Sequence, residues 1–299
     1  MRPAIRHVLT AKTKDIGGLS VRRALPDAHV ARVGPFVFWD EMGSVDYPPG
    51  QGLDVRPHPH IGLATVTYLF SGAMVHRDSL GTVQAIRPGE VNLMVAGRGI
   101  VHSERSEPQA RASGHRLHGI QSWLALPDGW EECDPAFHHT TAAELPVARP
   151  EEGVTLRVLM GEIGQWRSPV PTFSETVYAE ITLADGGAYE LPHRDMERAV
   201  YVVGGRLLIA GRSFDAGALV VLVPGAPVEI ETQIGTRVML LGGRRISGER
   251  ILWWNFLARE PGRIEAAQRA WESAAAQGFV DSVFTLPPEE SEHIPLPMG

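Results

Sequence analysis

Short runs rich in β-branched and aromatic residues recur along the chain, among them Thr65-Val66-Thr67-Tyr68-Leu69-Phe70, Val91-Asn92-Leu93-Met94-Val95 and Ala199-Val200-Tyr201-Val202-Val203. Gly or Pro lies close to each run, as strands joined by turns require. The pattern predicts β structure almost throughout. One stretch breaks the period. Across residues 262–278, Ile264, Ala267, Trp271 and Ala274/Ala275 fall at helical spacing, with Pro261 before them and Gly278 placed as the residue that ends a helix. One amphipathic helix is expected there. Beyond it, Pro287, Pro288, Pro295 and Pro297 give an irregular tail.

The chain repeats itself. Pro59-His60 is followed by Tyr68 and Gly72, eight and twelve positions after the histidine, and Pro192-His193 by Tyr201 and Gly205 at the same spacings. Arg87-Pro88-Gly89 leads to Gly97 eight residues later, and Asp215-Ala216-Gly217 leads to Gly225 eight residues later. These spacings, agreeing in order, imply two copies of one β unit, near residues 30–130 and 150–245. In this register His60 meets His193, whereas His58 meets Leu191, His102 meets Ile230 and Glu104 meets Thr232. The first copy therefore carries four potential metal ligands and the second keeps one.

Composition narrows the classes. With 299 residues, 43% hydrophobic and 21% charged, the chain has the balance of a folded globular protein and the length of one large or two ordinary domains. A formal charge of −7 and the lack of a dense Lys/Arg cluster argue against direct nucleic-acid binding. The single cysteine, Cys133, excludes an intrachain disulfide and any four-cysteine zinc or iron–sulfur site. Its neighbours Glu131, Glu132 and Asp134 are expected to raise its pKa, against a nucleophilic role. The opening residues Met1-Arg2-Pro3-Ala4-Ile5-Arg6-His7 hold no apolar core of signal-peptide length. The longest apolar run, residues 218–223, stops at Pro224, far short of a membrane span. A cytoplasmic protein without membrane association is the expectation.

The chemistry-bearing residues are His58-Pro59-His60 and His102-Ser103-Glu104. On a strand, residues i and i+2 project to the same face, so each pair offers two side chains to one point. The intervening chain is long enough to bring the second pair back beside the first. Three imidazoles and one carboxylate suit a first-row divalent metal such as iron, manganese, nickel, copper or zinc, where calcium or magnesium would want more oxygens. His76 and Asp78, again i and i+2, are candidates for lining a pocket or for hydrogen-bonding a ligand imidazole, and Gln121 for a pocket donor. His115 and His118 are expected on the surface or in loops, His138 and His139 in structural positions, and His193 inside an apolar barrel.

The strings Phe38-Trp39-Asp40-Glu41-Met42, His58-Pro59-His60-Ile61-Gly62, His76-Arg77-Asp78-Ser79 and Ala96-Gly97-Arg98-Gly99-Ile100-Val101-His102-Ser103-Glu104 resemble pirin sequences. So do the later Trp253-Trp254-Asn255-Phe256 and Arg263-Ile264-Glu265, which extends the resemblance over nearly the whole chain. The resemblance implies an all-β bicupin: two tandem jelly-roll cupin barrels packed together, followed by one C-terminal α-helix. The expected boundaries are a metal-binding cupin at 1–135, a degenerate cupin without metal at 136–250, and a helix with irregular tail at 251–299. It also implies one Fe2+ held by His58, His60, His102 and Glu104, the same four residues that the spacing selects. Ala64 stands four residues after His60, where many pirins and other cupins carry Glu; Glu197 is its counterpart in the second copy.

Two functions follow from the resemblance. One is quercetin 2,3-dioxygenase activity, in which a planar flavonol is opened by O2; Glu104, the one carboxylate of the constellation, is the candidate base for the hydroxyl proton. The other is a non-catalytic, redox-responsive iron protein that acts through protein partners. A metal-dependent cupin of another class, such as an isomerase, is a third reading, and a monomer is the expected state.

Overall fold

The computed structural model describes residues 4–16 and 19–297. Its elements are antiparallel strands apart from two helices, the expected one at Pro261–Ala276 and a six-residue one at Pro108–Ser113 that the sequence pattern does not flag. Ile264, Ala267, Trp271 and Ala274 are the buried residues of the long helix, the stripe that its spacing predicts. Among the described residues no helix is long and apolar enough to cross a membrane.

The chain forms two compact units that exchange segments. One contains residues 1–14, 22–40 and 140–246; the other contains 15–21, 41–139 and 247–299. These units differ from contiguous boundaries at 135 and 250 in two places. The N-terminal strand Ile5–Thr10 pairs with Ala218–Leu222, so early residues complete the later barrel. The C-terminal segment joins the unit that holds the histidine pairs.

In the unit built on 41–139, a four-stranded sheet runs in the order Asp54–His60, Ile100–Ser106, Met74–Asp78, Val83–Ile86. A larger sheet includes Ala136–Thr140, Val91–Val95, Leu63–Ser71 and His115–Ala125 as successive neighbours. Leu53, Leu69, Met74, Ile86 and Leu117 are buried together in an apolar cluster of this unit. The unit built on 140–246 repeats the plan. Its four-stranded sheet, Ala188–Glu190, Glu229–Glu231, Arg206–Ile209, Arg212–Asp215, follows the same order, beside a seven-stranded sheet. The spacing repeat is visible in the backbone as well: Gly72 and Gly205 end equivalent strands with φ of +85° and +84°.

The strand register corrects the sequence alignment of the copies by two residues. His102 pairs with His58, whereas Ile230, in the place of His102, pairs with Tyr189. Ile100 likewise pairs with His60, and Leu191 donates its N–H to the Val228 carbonyl at 2.8 Å. Tyr189 and Leu191 therefore replace His58 and His60, and the second barrel keeps no ligand histidine. Tyr189, Leu191 and Ile230 belong to its buried apolar core. His193 falls beyond the strand in a turn at φ +55°, outside that core, with Nε2 2.6 Å from the Glu162 carbonyl. Buried Arg198 donates to the carbonyls of Leu191, Pro192 and Ala226, which anchors this turn. Glu197 also faces away from any ligand role, accepting the Gly34 N–H at 3.0 Å.

A tight turn between strands positions the first histidine pair. Gly62 has φ +70°, and a Cβ there would stand 2.0 Å from the Leu257 carbonyl oxygen. Its N–H donates to Gly97 O at 2.8 Å. Gly62→Ala is expected to lower unfolding stability by about 2–4 kcal/mol, combining the positive-φ cost with a forced shift of Leu257, as read by denaturant unfolding.

Candidate metal centre

The pair His58/His60 and the pair His102/Glu104 lie on adjacent antiparallel strands, the edge strand Asp54–His60 and its neighbour Ile100–Ser106. Alternation along the second strand turns His102 and Glu104 to one face, and Val101, Ser103 and Arg105 to the other. The register shifts between His102 and Glu104, so that Glu104 faces Val55 across a bulge. Bulges re-aim side chains at sheet edges and next to active sites.

His58, His60 and His102 converge, each offering a ring nitrogen within 4.8 Å of the others. His60 Nε2 and His102 Nε2 are 3.0 Å apart. His58 Nδ1 lies 2.9 Å from the Arg56 carbonyl, which suits an Nδ1–H tautomer and leaves Nε2 as the lone-pair donor. All three rings are buried. Burial is the first cause of their low basicity: it holds the His58 pKa at about 4 and those of His60 and His102 well below the ordinary imidazole value. The rings are therefore neutral at physiological pH, the form that ligates metal. Two such nitrogens facing each other at 3.0 Å, with a third close by, fit a shared cation.

Glu104 is near this cluster in the strand but is not one of the three residues whose ligand atoms converge. Its Oε1 instead accepts a hydrogen bond from Gln121 Nε2 at 3.3 Å, and Gln121 Oε1 accepts one from the Thr67 hydroxyl at 2.7 Å. Burial pushes the Glu104 carboxyl up to about 7, with the Gln121 hydrogen bond opposing the rise. A carboxyl with a pKa near neutrality is poised to release or accept a proton there. Ala64 is buried, paired with Leu124 on one side and Val95 on the other.

His76 and Asp78 are brought to the cluster on Met74–Asp78, the strand beside His102. His76 Nδ1 is 3.4 Å from His102 Nδ1, and His76 Nε2 is 2.9 Å from Asp78 Oδ2. Asp78 has no exposed surface and accepts the N–H groups of Leu80 and Thr82 on its other oxygen. Both of its oxygens are thus committed, which makes the pair a support behind His102 more than an open pocket wall. Sequence pattern alone misses Phe137, stacked on His76 with centroids 4.5 Å apart, and Trp123, edge-on to His60 at 5.1 Å. It also misses the Thr67–Gln121 link; the inward position of Thr67, on the strand that pairs with Gln121, is the available signal.

Three further histidines make hydrogen bonds elsewhere. His115 opens a strand with Nε2 2.8 Å from Ser106 Oγ, and His118 lies within a strand with Nε2 2.8 Å from Glu41 Oε1; neither is a loop residue. His139 Nδ1 is 2.7 Å from Asn92 Oδ1. The Cys133 thiol pKa is raised, chiefly by burial and only last by Glu132.

A barrel that carries a buried histidine cluster, and a second barrel of the same plan filled by apolar side chains, define a two-barrel cupin. The family description Pirin matches residues 18–124, and Pirin C-terminal cupin domain matches residues 178–277. The chain belongs to the pirin family. A pirin-like protein of Caulobacter vibrioides is 42% identical over 294 residues, covering 97% of this chain and 98% of the relative. A Pseudomonas aeruginosa protein, provisionally named a quercetin 2,3-dioxygenase, is 38% identical and covers 92% of this chain and 86% of its own length. The crystal structure of a quercetin 2,3-dioxygenase from Acinetobacter baumannii is 34% identical, with a TM-score of 0.90 over 98% of this chain and 95% of that one. A bacterial pirin from Escherichia coli, solved in complex with nickel(II), shares the fold at a TM-score of 0.63 and 19% identity, over 80% of this chain and 99% of that one.

Proposed function

We propose that the protein is a metal-dependent dioxygenase of planar flavonols such as quercetin, with one divalent ion, iron in this reading, held by His58, His60, His102 and Glu104. The observation that carries the proposal is the pairing of three neutral, buried, convergent imidazoles with a carboxyl group whose pKa lies near 7. The names of the Pseudomonas aeruginosa and Acinetobacter baumannii relatives support the substrate class.

When bound, the metal supplies Lewis acidity for the flavonol hydroxyl and coordination space for O2. Three neutral imidazoles and one carboxylate leave a divalent ion with a net charge of about +1, so the centre favours an anionic oxygen ligand. Glu104 takes the proton from the flavonol 3-hydroxyl, since it is the carboxylate of this donor set. Gln121, fixed by Thr67, orients the Glu104 carboxylate through the Nε2–H bond already present. Asp78 and His76 hold the ring plane of His102. Phe137 and Trp123 add apolar walls that limit water near the reacting groups.

The test is metal content of the purified protein, followed on the same sample by quercetin loss and oxygen uptake. Near-stoichiometric iron with oxygen-linked turnover is the expected result. A loaded protein that consumes no oxygen with quercetin would overturn the enzymatic reading in favour of a regulatory iron protein, and oxygen-independent turnover would point to another reaction class.

A further inference from the structure

The irregular C-terminal tail is fastened to the outer face of the strands that carry the proposed ligands. Glu290, whose side chain is 4% exposed, accepts the Ser103 hydroxyl at 2.7 Å and the Arg105 Nε–H at 2.8 Å on Oε1, and Arg105 Nη2 at 2.6 Å on Oε2. Ser103 lies between His102 and Glu104, and Arg105 directly follows Glu104. Arg105 also reaches across the strand pair to Asp54 at 3.1 Å and back to the tail at Glu292, 2.8 Å away. Four residues past Glu290, the Ile294 N–H donates to the Pro57 carbonyl at 2.8 Å, one residue before His58. Trp271 of the long helix donates its Nε1–H to the Ile294 carbonyl at 3.1 Å, tying the tail to the helix core. That core includes Val101 and Ile61, next to His102 and His60.

The attachment falls on the strand beside the sheet's bulged edge. Asp54–His60 is an edge strand, and its pairing with Ile100–Ser106 is interrupted by the bulge between His102 and Glu104. A bulged edge pair lacks the even ladder that fixes side-chain spacing elsewhere. Metal ligation needs its donors held to within a few tenths of an ångström, and partners outside the ligand set set that precision.

We propose that Glu290 is a positioning residue for the metal centre: by gripping Ser103 and Arg105 it holds the Ile100–Ser106 strand against its bulged edge partner and so places His102 and Glu104 relative to His58 and His60. The inference rests on the metal-centre reading above. Its carboxylate forms a charge-assisted, two-point clasp on Arg105 while accepting Ser103, a geometry that an amide reproduces in part and a methyl group not at all. Ser103 transmits this constraint through the backbone to the residues on either side of it.

The test uses the full chain, stripped of metal and titrated with cobalt(II) alone. Competition with a chelator gives the affinity, the visible d–d bands report ligand geometry, and thermal unfolding of the metal-free protein reports the fold. Glu290→Ala is expected to bind cobalt about 10–100-fold more weakly, with shifted d–d bands. Glu290→Gln, which keeps one acceptor oxygen, is expected to recover much of the affinity. Ser103→Ala removes one grip without altering the tail and is expected to shift the bands in the same direction; it also serves if Glu290→Ala does not fold. Variants with lower melting temperature but wild-type affinity and bands would reduce Glu290 to a fold-stabilising residue and overturn the proposal. A wild-type protein that takes up no cobalt would overturn the metal-centre reading and the inference with it, whereas a loaded wild type with unaltered variants overturns the inference alone.

Discussion

Glu104→Gln is expected to fold, to retain much of the metal and to lose turnover by about 10²–10⁴-fold, the range for removal of a positioned general base. The same substitution has a second expected effect, on stability. In the metal-free protein the Glu104 pKa stands at about 7 against an ordinary value of 4.5, because burial disfavours its charged form. A carboxyl raised in the folded state contributes stability that is fully present below pH 4.5 and lost as pH rises through 7. The two values differ by the equivalent of about 3 kcal/mol. The neutral amide carries no such penalty. Relative to wild type, metal-free Glu104→Gln should therefore gain stability as pH rises from 4.5 to 8, by up to about 3 kcal/mol. The histidines act with opposite sign. His58, lowered to about 4, contributes stability present above pH 6.5 and lost as pH falls through 4. That contribution is common to both proteins and cancels in their difference. Denaturant unfolding of both, at several pH values with chelator present, measures it; a flat difference would remove Glu104 as the buried acid.

His58→Ala and His102→Ala are each expected to weaken metal binding by more than about a hundredfold and to abolish turnover, while the chain still folds. Removing a donor from the set costs more than the 10–100-fold typical of a residue behind it. Both rings are neutral and buried, so their loss leaves a small void without stranding a charge. His193→Ala is the control. Its ring contacts the Glu162 carbonyl in the second unit and belongs to no ligand cluster, so metal content and turnover should stay at wild-type levels. Metal analysis and oxygen uptake on the same preparations decide the matter; metal retained in both His58→Ala and His102→Ala would end the assignment.

The convergence of His58, His60 and His102 is legible in the sequence because strand periodicity is the simplest rule in protein structure: i and i+2 share a face wherever the strand is regular. The long helix is legible for the same kind of reason, its apolar stripe recurring at Ile264, Ala267, Trp271 and Ala274. What sequence reasoning loses is everything set by loop length and chain crossing. Equating His193 with His60 assumes equal connections in the two copies, but the register places Leu191 in that position, two residues earlier. The pairing of Ile5–Thr10 with Ala218–Leu222 spans most of the chain and has no local signal. The tail is aperiodic and proline-rich, so its clasp on Ser103 and Arg105 cannot be read from spacing. The side-chain state of Glu104 is likewise a tertiary fact: its burial and its bond to Gln121, on the next strand of the other sheet, carry no periodic signal.

The interleaving of the two units bears on how the polypeptide is made. Synthesis proceeds from the N-terminus, and a domain whose segments have all emerged can fold while the rest is still being translated. The unit of residues 1–14, 22–40 and 140–246 has its full set once the chain reaches residue 246, although its ligand-free barrel must keep the first strand waiting until then. The unit that carries His58, His60 and His102 emerges earlier for the most part, yet it includes residues 247–299. Its long helix and tail emerge only after the other unit has its full set of segments. The barrel that carries the three histidines is thus translated largely before its companion, yet takes up its last segment after the companion is complete.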